Sequence, residues 1–169
     1  MLTSRRRPVA LFFGLFFATV FIAGCAQPKR ATSQDDGNIS VWTGRISLQV
    51  QSEPPRAFFS GFELRGKPEQ GELVLNSPLG NRLAVLRWSP QEAVLDSGNQ
   101  VQRFASVDEL IKEVTGAAVP LPALFDWLGG KNTALAGWSA DLSQQAEGRI
   151  SASRTTPQPR TDLRIVLAQ

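Results

Sequence analysis

Histidine and tyrosine are absent from this 169-residue chain, and cysteine occurs once. Without histidine, Ser-His-Asp and Cys-His nucleophile–base arrangements cannot be assembled. Zinc sites built from histidine and cysteine lose their donors for the same reason. No glycine-rich phosphate loop is present. Carboxylates are the remaining acid–base candidates, because enzymes can run on a carboxylate pair alone. Asp35-Asp36, Glu63, Glu69, Glu72, Glu92 and Asp96 sit in strand and turn contexts with nothing that groups them. They read as solvated charges. The expectation is a non-enzymatic protein with no cofactor and no metal.

The single thiol is placed distinctively. Cys25 ends the sequence Ile22-Ala23-Gly24-Cys25, downstream of Arg5-Arg6-Arg7 and a run from Val9 to Ala23 without a charged residue. A basic start, a short apolar core and small residues before a cleavage point describe a secretory signal. A cysteine right after those small residues makes it a bacterial lipoprotein signal, in which the thiol is acylated and the preceding peptide removed. The apolar run covers 15 residues, short of the roughly 20 that span a bilayer. Residues 1–24 are therefore expected to be a signal peptide and Cys25 the lipidated first residue of the mature chain.

Removal of that segment changes the charge. The whole chain has a formal net charge of +3 and an isoelectric point near 9.6. Residues 1–24 hold three arginines and no acid, so the mature part keeps 15 of 18 basic side chains against 15 acidic ones. A neutral chain has no electrostatic case for nucleic-acid binding. The 145 remaining residues suit a single domain with a substantial core.

Residues 25–40 are small, polar and without periodicity, which is a tether. Residues 41–169 form the folded domain. Ile46, Leu48 and Val50 alternate with Arg45, Ser47 and Gln49, the pattern of a half-buried strand. Glu53-Pro54-Pro55-Arg56 ends it. Ala57–Arg65, Glu72–Ser77 and Arg82–Trp88 read as further strands, with a turn at Gly66–Gly71 and another around Pro78-Leu79-Gly80. Glu92–Asp96 and Gln100–Phe104 read as a hairpin closed by Ser97-Gly98-Asn99. Ser106-Val107-Asp108-Glu109 is a capping box, and Val107, Leu110, Ile111 and Val114 make one apolar stripe of a helix ended by Gly116. Pro122 opens a second helix carrying Leu124, Phe125, Trp127 and Leu128. Strands return at Gly148–Arg154 and Asp162–Leu167. Closely spaced strands of this kind predict an antiparallel meander. Arg82–Trp88 is apolar on both faces, with Ala84, Leu86 and Trp88 on one and Leu83 and Val85 on the other. Two explanations stay open: a sheet covered by helices on one side and core on the other, or a curved sheet around an apolar cavity.

Two blocks carry a family resemblance. Leu73-Val74-Leu75-Asn76-Ser77-Pro78-Leu79-Gly80 resembles the strand and loop of the LolB family of outer-membrane lipoprotein receptors. Leu110 to Gly116, with Val119-Pro120-Leu121 and Leu124-Phe125-Asp126-Trp127-Leu128-Gly129, resembles that family's two-helix block. Thr43-Gly44-Arg45 and the lipidation signal fit as well. The likeness covers residues 40–130 and weakens beyond. After Trp127 the family has strands with a hairpin rich in tryptophan and tyrosine. Here Trp138 remains, but Ala146–Thr161 is short, polar and lacks those aromatics, so the expectation is a shortened or missing strand and a less complete barrel.

The resemblance implies a mainly β fold: an incomplete, curved antiparallel barrel lidded by helices, with an apolar interior. It implies an outer-membrane lipoprotein facing the periplasm as a monomer, which accepts lipoproteins from a LolA-type chaperone and inserts them into the membrane. Their acyl chains would be held in the cavity, for which Phe58, Phe62, Leu64, Leu75, Leu83, Val85 and Trp127 are the candidates. Pro78-Leu79-Gly80 reads as a turn with proline at i+1 and glycine at i+3. The family match assigns its outward leucine, Leu79, to membrane insertion. The competing class is an assembly lipoprotein that binds a protein partner without carrying acyl chains.

Overall fold

The computed structural model describes residues 39–168; the expected signal peptide, Cys25 and the tether up to residue 38 lie outside the described residues. Nine strands form one antiparallel sheet: β1 (Ser40–Val50), β2 (Arg56–Lys67), β3 (Gln70–Asn76), β4 (Arg82–Trp88), β5 (Ala93–Asp96), β6 (Val101–Phe104), β7 (Trp138–Asp141), β8 (Arg149–Arg154) and β9 (Thr161–Leu167). Their spatial order is β6-β5-β4-β3-β2-β1-β9-β8-β7. The first six strands therefore meander outward from β1, and the last three are added on its other edge through the β1–β9 pair. The sheet is open, with β6 and β7 as edges. Two helices, α1 (Val107–Thr115) and α2 (Leu121–Leu128), lie between β6 and β7 in sequence.

The elements follow from local chemistry. Ser106 is extended and its hydroxyl accepts the Glu109 N–H, while the Glu109 carboxylate accepts the Ala105 N–H at 3.0 Å. The capping box thus forms one residue wider than the sequence pattern, and Gly116 closes α1. In α2, apolar on nearly all sides, six of eight residues are buried. Phe125 packs edge-on against Trp42, with centroids 5.3 Å apart, and against Trp88 at 6.4 Å. Such aromatic edges contribute about 0.5–1.5 kcal/mol each beyond area burial, and here they fix α2 onto the sheet.

The C-terminal region is more complete than the polar composition of Ala146–Thr161 suggests. That segment contains β8, whose Ile150 and Ala152 are buried in the core. Trp138 opens β7, a four-residue strand too short to show a period in the sequence. Trp138 packs against Trp127 at 5.8 Å and takes Arg154 over its ring.

Candidate functional site: an apolar cavity and its rim

The concave side of the sheet is divided. Part of it is packed core, formed by the aromatic cluster around Phe125 of α2 and by Phe62, Leu64, Ile150 and Ile165. Beneath α1, which packs on β5 and β6, it encloses a cavity of 750 Å³. Ile46, Leu48 and Val50 of β1, Phe58 of β2, Leu73 and Leu75 of β3, and Ala84, Leu86 and Trp88 of β4 form the sheet wall. Val107, Leu110, Ile111 and Val114 of α1, with Val119, Leu121 and Leu124, form the helical wall. The apolar stripe of α1 therefore faces open space as well as the sheet.

The cavity opens at one end. Its exposed lining residues are Pro55, Arg56, Ala57, Leu83, Ser97 and Val114. All of them come from the sheet end where β2 and β4 begin and β5 finishes, or from the last turn of α1. Trp88 lies at the opposite end of β4. Its Nε1–H is bonded to the Pro68 carbonyl at 3.0 Å, which closes that end.

The β3–β4 loop rises from the open end. The Gly80 N–H donates to the Ser77 carbonyl at 2.8 Å, and the Ser77 N–H to the Asn81 carbonyl at 2.8 Å. These bonds make a turn with Pro78 at i+1, Leu79 at i+2 and Gly80 at i+3. Leu79 is 89% exposed, against 45% for Leu83 and 44% for Val114 on the rim. This apolar side chain, at the tip of a proline-stiffened turn, has no partner among the described residues to bury it.

Of the seven residues expected to line the cavity, Phe58, Leu75 and Leu83 do. Phe62 and Leu64 of β2 and Trp127 of α2 itself are core residues and lie outside the cavity lining. Phe62 and Leu64 share a strand face with Phe58, but that face passes from cavity to packed core along β2. Trp127 is 1% exposed, with its Nε1–H on the Thr133 carbonyl at 3.3 Å. Val85 points to the other side of the sheet, since it alternates with Ala84 and Leu86. Leu83 joins the cavity side because the β3–β4 register shifts there: Leu75 pairs with Ala84 and Asn76 with Arg82, leaving Leu83 unopposed. One extra residue in a strand re-aims a side chain in this way.

Among the described residues, Arg56 is the only charged one that lines the cavity. It follows two prolines at a strand start, a position that offers no sequence signal for a cavity rim. Among the described residues, none of the candidate acids lines the cavity. Glu63, Glu72 and Glu92 are bonded to Arg65, Arg87 and Arg103 on exposed surface, and Asp96 accepts the Gly98 N–H.

The profile of the family described as "Outer membrane lipoprotein LolB" matches residues 40–159, from β1 through β8. The chain belongs to the LolB family. The outer-membrane lipoprotein LolB of Ralstonia nicotianae is 32% identical over 148 residues, covering 83% of this chain and 69% of that protein. The LolB protein of Cupriavidus necator is 33% identical over 153 residues, covering 88% and 76%. That of Dechloromonas aromatica is 30% identical over 144 residues, covering 82% and 74%. The LolB match runs on past Trp127 through β7 and β8, across the stretch where the sequence departs from the aromatic-rich pattern.

Proposed function

We propose that this protein is an outer-membrane lipoprotein, anchored in the inner leaflet through acylated Cys25. It receives lipoproteins from a LolA-type periplasmic chaperone, shelters their acyl chains in the cavity and releases them into the outer membrane. The observation that carries this reading is the 750 Å³ apolar cavity opening at the sheet end from which Leu79 projects. Burial of an acyl chain is worth about 0.8 kcal/mol per CH₂, so a sixteen-carbon chain resists release into water by roughly 13 kcal/mol. Transfer must therefore run from one apolar container to the next, and no covalent step is needed. Leu79, at the tip of the β3–β4 turn, enters the acyl region of the bilayer and brings the mouth to the membrane.

The test is transfer of a radiolabelled lipoprotein from its purified chaperone complex to liposomes carrying the lipidated full chain. The expected result is transfer that depends on the protein. Leu79→Glu should retain acceptance from the chaperone and lose delivery. Delivery by Leu79→Glu at the wild-type rate would remove the loop's role. Absence of any acyl-chain binding by the folded protein would instead favour an assembly lipoprotein that binds a protein partner.

A further inference from the structure

We propose that the cavity mouth is a headgroup site, in which Arg56 selects amphiphiles with an anionic headgroup, a carboxylate or a phosphate, over uncharged ones. The inference rests on the reading that the cavity admits acyl chains.

Three observations carry it. First, the cavity is one-ended. A chain that fills it leaves its head at the mouth, because Trp88 closes the far end. Second, among the described residues the only charge on the lining is the Arg56 guanidinium at that mouth. The exposed side chain passes over Gly116, where an added β-carbon would lie 3.2 Å from both Cδ and Nη1 of Arg56. The side chain therefore bridges from the start of β2 to the end of α1, where the helix dipole favours a cation. Third, among the described residues the guanidinium has no carboxylate within ion-pair distance. Glu53, the acid nearest to Arg56 in sequence, and Glu113, the acid nearest to Gly116, do not line the cavity. A planar guanidinium with its donors unspent at the edge of an apolar cavity suits bidentate recognition of carboxylate or phosphate.

The volume restricts the tail. Taking a methylene as about the size of a water's share of liquid volume, roughly 30 Å³, the 750 Å³ cavity accepts about 25 such groups. That is one long acyl chain, or one and part of a second. The ligand class is thus a fatty acid or a phospholipid with one chain inserted.

The experiment uses the full chain in zwitterionic vesicles and three photoreactive sixteen-carbon probes: palmitate, lysophosphatidylglycerol and an uncharged monoacylglycerol. Adducts are mapped by mass spectrometry to β1, β3, β4 and α1. The expected result is labelling of those segments about threefold to tenfold greater for at least one anionic probe than for the uncharged one. Arg56→Gln should bring the ratio near one, and Arg56→Lys should keep part of it. Preference for the phosphate probe alone identifies a phospholipid, and for palmitate alone a free fatty acid; both support the site. Equal labelling by all three probes, or a preference unchanged in Arg56→Gln, overturns it. No labelling of those segments by any probe overturns the acyl-chain reading itself. Thermal unfolding of each variant shows that the fold is kept.

Discussion

Enlarging a side chain that points into the cavity should stabilise the protein, whereas the same change in a packed core would destabilise it. Ala84 is the position to use: it is partly buried, lines the cavity and stands opposite Leu75 across β3–β4. Ala84→Leu adds three carbon groups. At about 0.8 kcal/mol per buried CH₂ the gain is at most about 2.4 kcal/mol. Ordering the leucine rotamer costs about 0.5–1 kcal/mol, and the cavity is open at one end, so the net expectation is a gain of about 1 kcal/mol. Overpacking a filled site would instead cost about 1–3 kcal/mol. The two cases differ in sign. Urea denaturation at unchanged m-value reads the difference directly, and the melting temperature should rise by about 3–5 °C. Ala84→Phe adds six carbons and removes about a quarter of the 750 Å³, at roughly 30 Å³ per group. It should fold and carry less acyl chain. Loss of more than about 1 kcal/mol in Ala84→Leu would mean that α1 rests tightly on β4 and that no usable space lies between them.

Arg154 is 5% exposed and unpaired by any carboxylate among the described residues; its guanidinium donates to the Ala118 and Pro159 carbonyls at 3.1 and 3.2 Å, and its Nε has no partner. Arg154→Ala should cost about 3 kcal/mol in chemical denaturation, and Arg154→Met, which keeps the stem against Trp138, less than half of that; equal losses would show that the charge, not the stem, carries the effect. Gly137 and Gly98 have nearly the same backbone angle, φ +80 and +81, but a β-carbon at Gly137 would sit 1.7 Å from the Thr156 carbonyl oxygen, whereas one at Gly98 meets nothing within 4 Å. Gly98→Ala should therefore cost only the left-handed penalty of about 1 kcal/mol and Gly137→Ala more than about 3 kcal/mol, a contrast read by thermal unfolding and refuted by equal losses. The Thr133 hydroxyl bonded to Asp126, helped by Lys131 against partial desolvation, holds the carboxylate below its ordinary value of 3.8. A depressed carboxylate contributes stability that is present above the unfolded value and lost as pH falls through the folded one. In Thr133→Val, NMR titration should find the Asp126 pKa moved up toward 3.8, and the acid-side loss of stability should become shallower; an unmoved pKa would assign the shift to Lys131.

Elements whose residues carry their own local instruction were legible in the sequence. The Ser106–Glu109 box, the Pro78–Gly80 turn and the alternation in β1 state a conformation within a few residues, and each forms where those residues stand. The cavity lining was not legible, because it depends on where a continuous strand face passes from packed core to open space. Phe58, Phe62 and Leu64 have the same periodicity, and only the position of α2 along β2 separates them. The bulge at Leu83 is a property of a strand pair and leaves no mark on one strand. Arg154 shows the same limit from the polar side: its sequence context is a strand end, and its burial is imposed by the α1–α2 connection and the 155–160 loop.

If the protein delivers lipoproteins as proposed, the closed end of the cavity constrains the order of events. The Trp88 indole lies against Gly71, where a β-carbon would come within 2.5 Å of its ring, and its N–H is bonded to the β2–β3 turn. That end is closed by the packed indole and its hydrogen bond together, so a chain carried by the protein would enter and leave by the same mouth. A chaperone seated on the mouth and a bilayer in contact with it would compete for Leu79, Leu83 and Val114. Acceptance and release are then sequential at one opening: the donor must leave before the membrane is engaged. Chain burial is worth nearly the same in the cavity as in the bilayer, so the direction of transfer rests on small differences. The cavity offers one wall of sheet and one of helix, with its mouth in water, while the bilayer surrounds the chain on all sides. On the proposed reading, a lipoprotein held here would be bound firmly against loss to water and weakly against loss to a membrane, which is the ordering that one-way delivery needs.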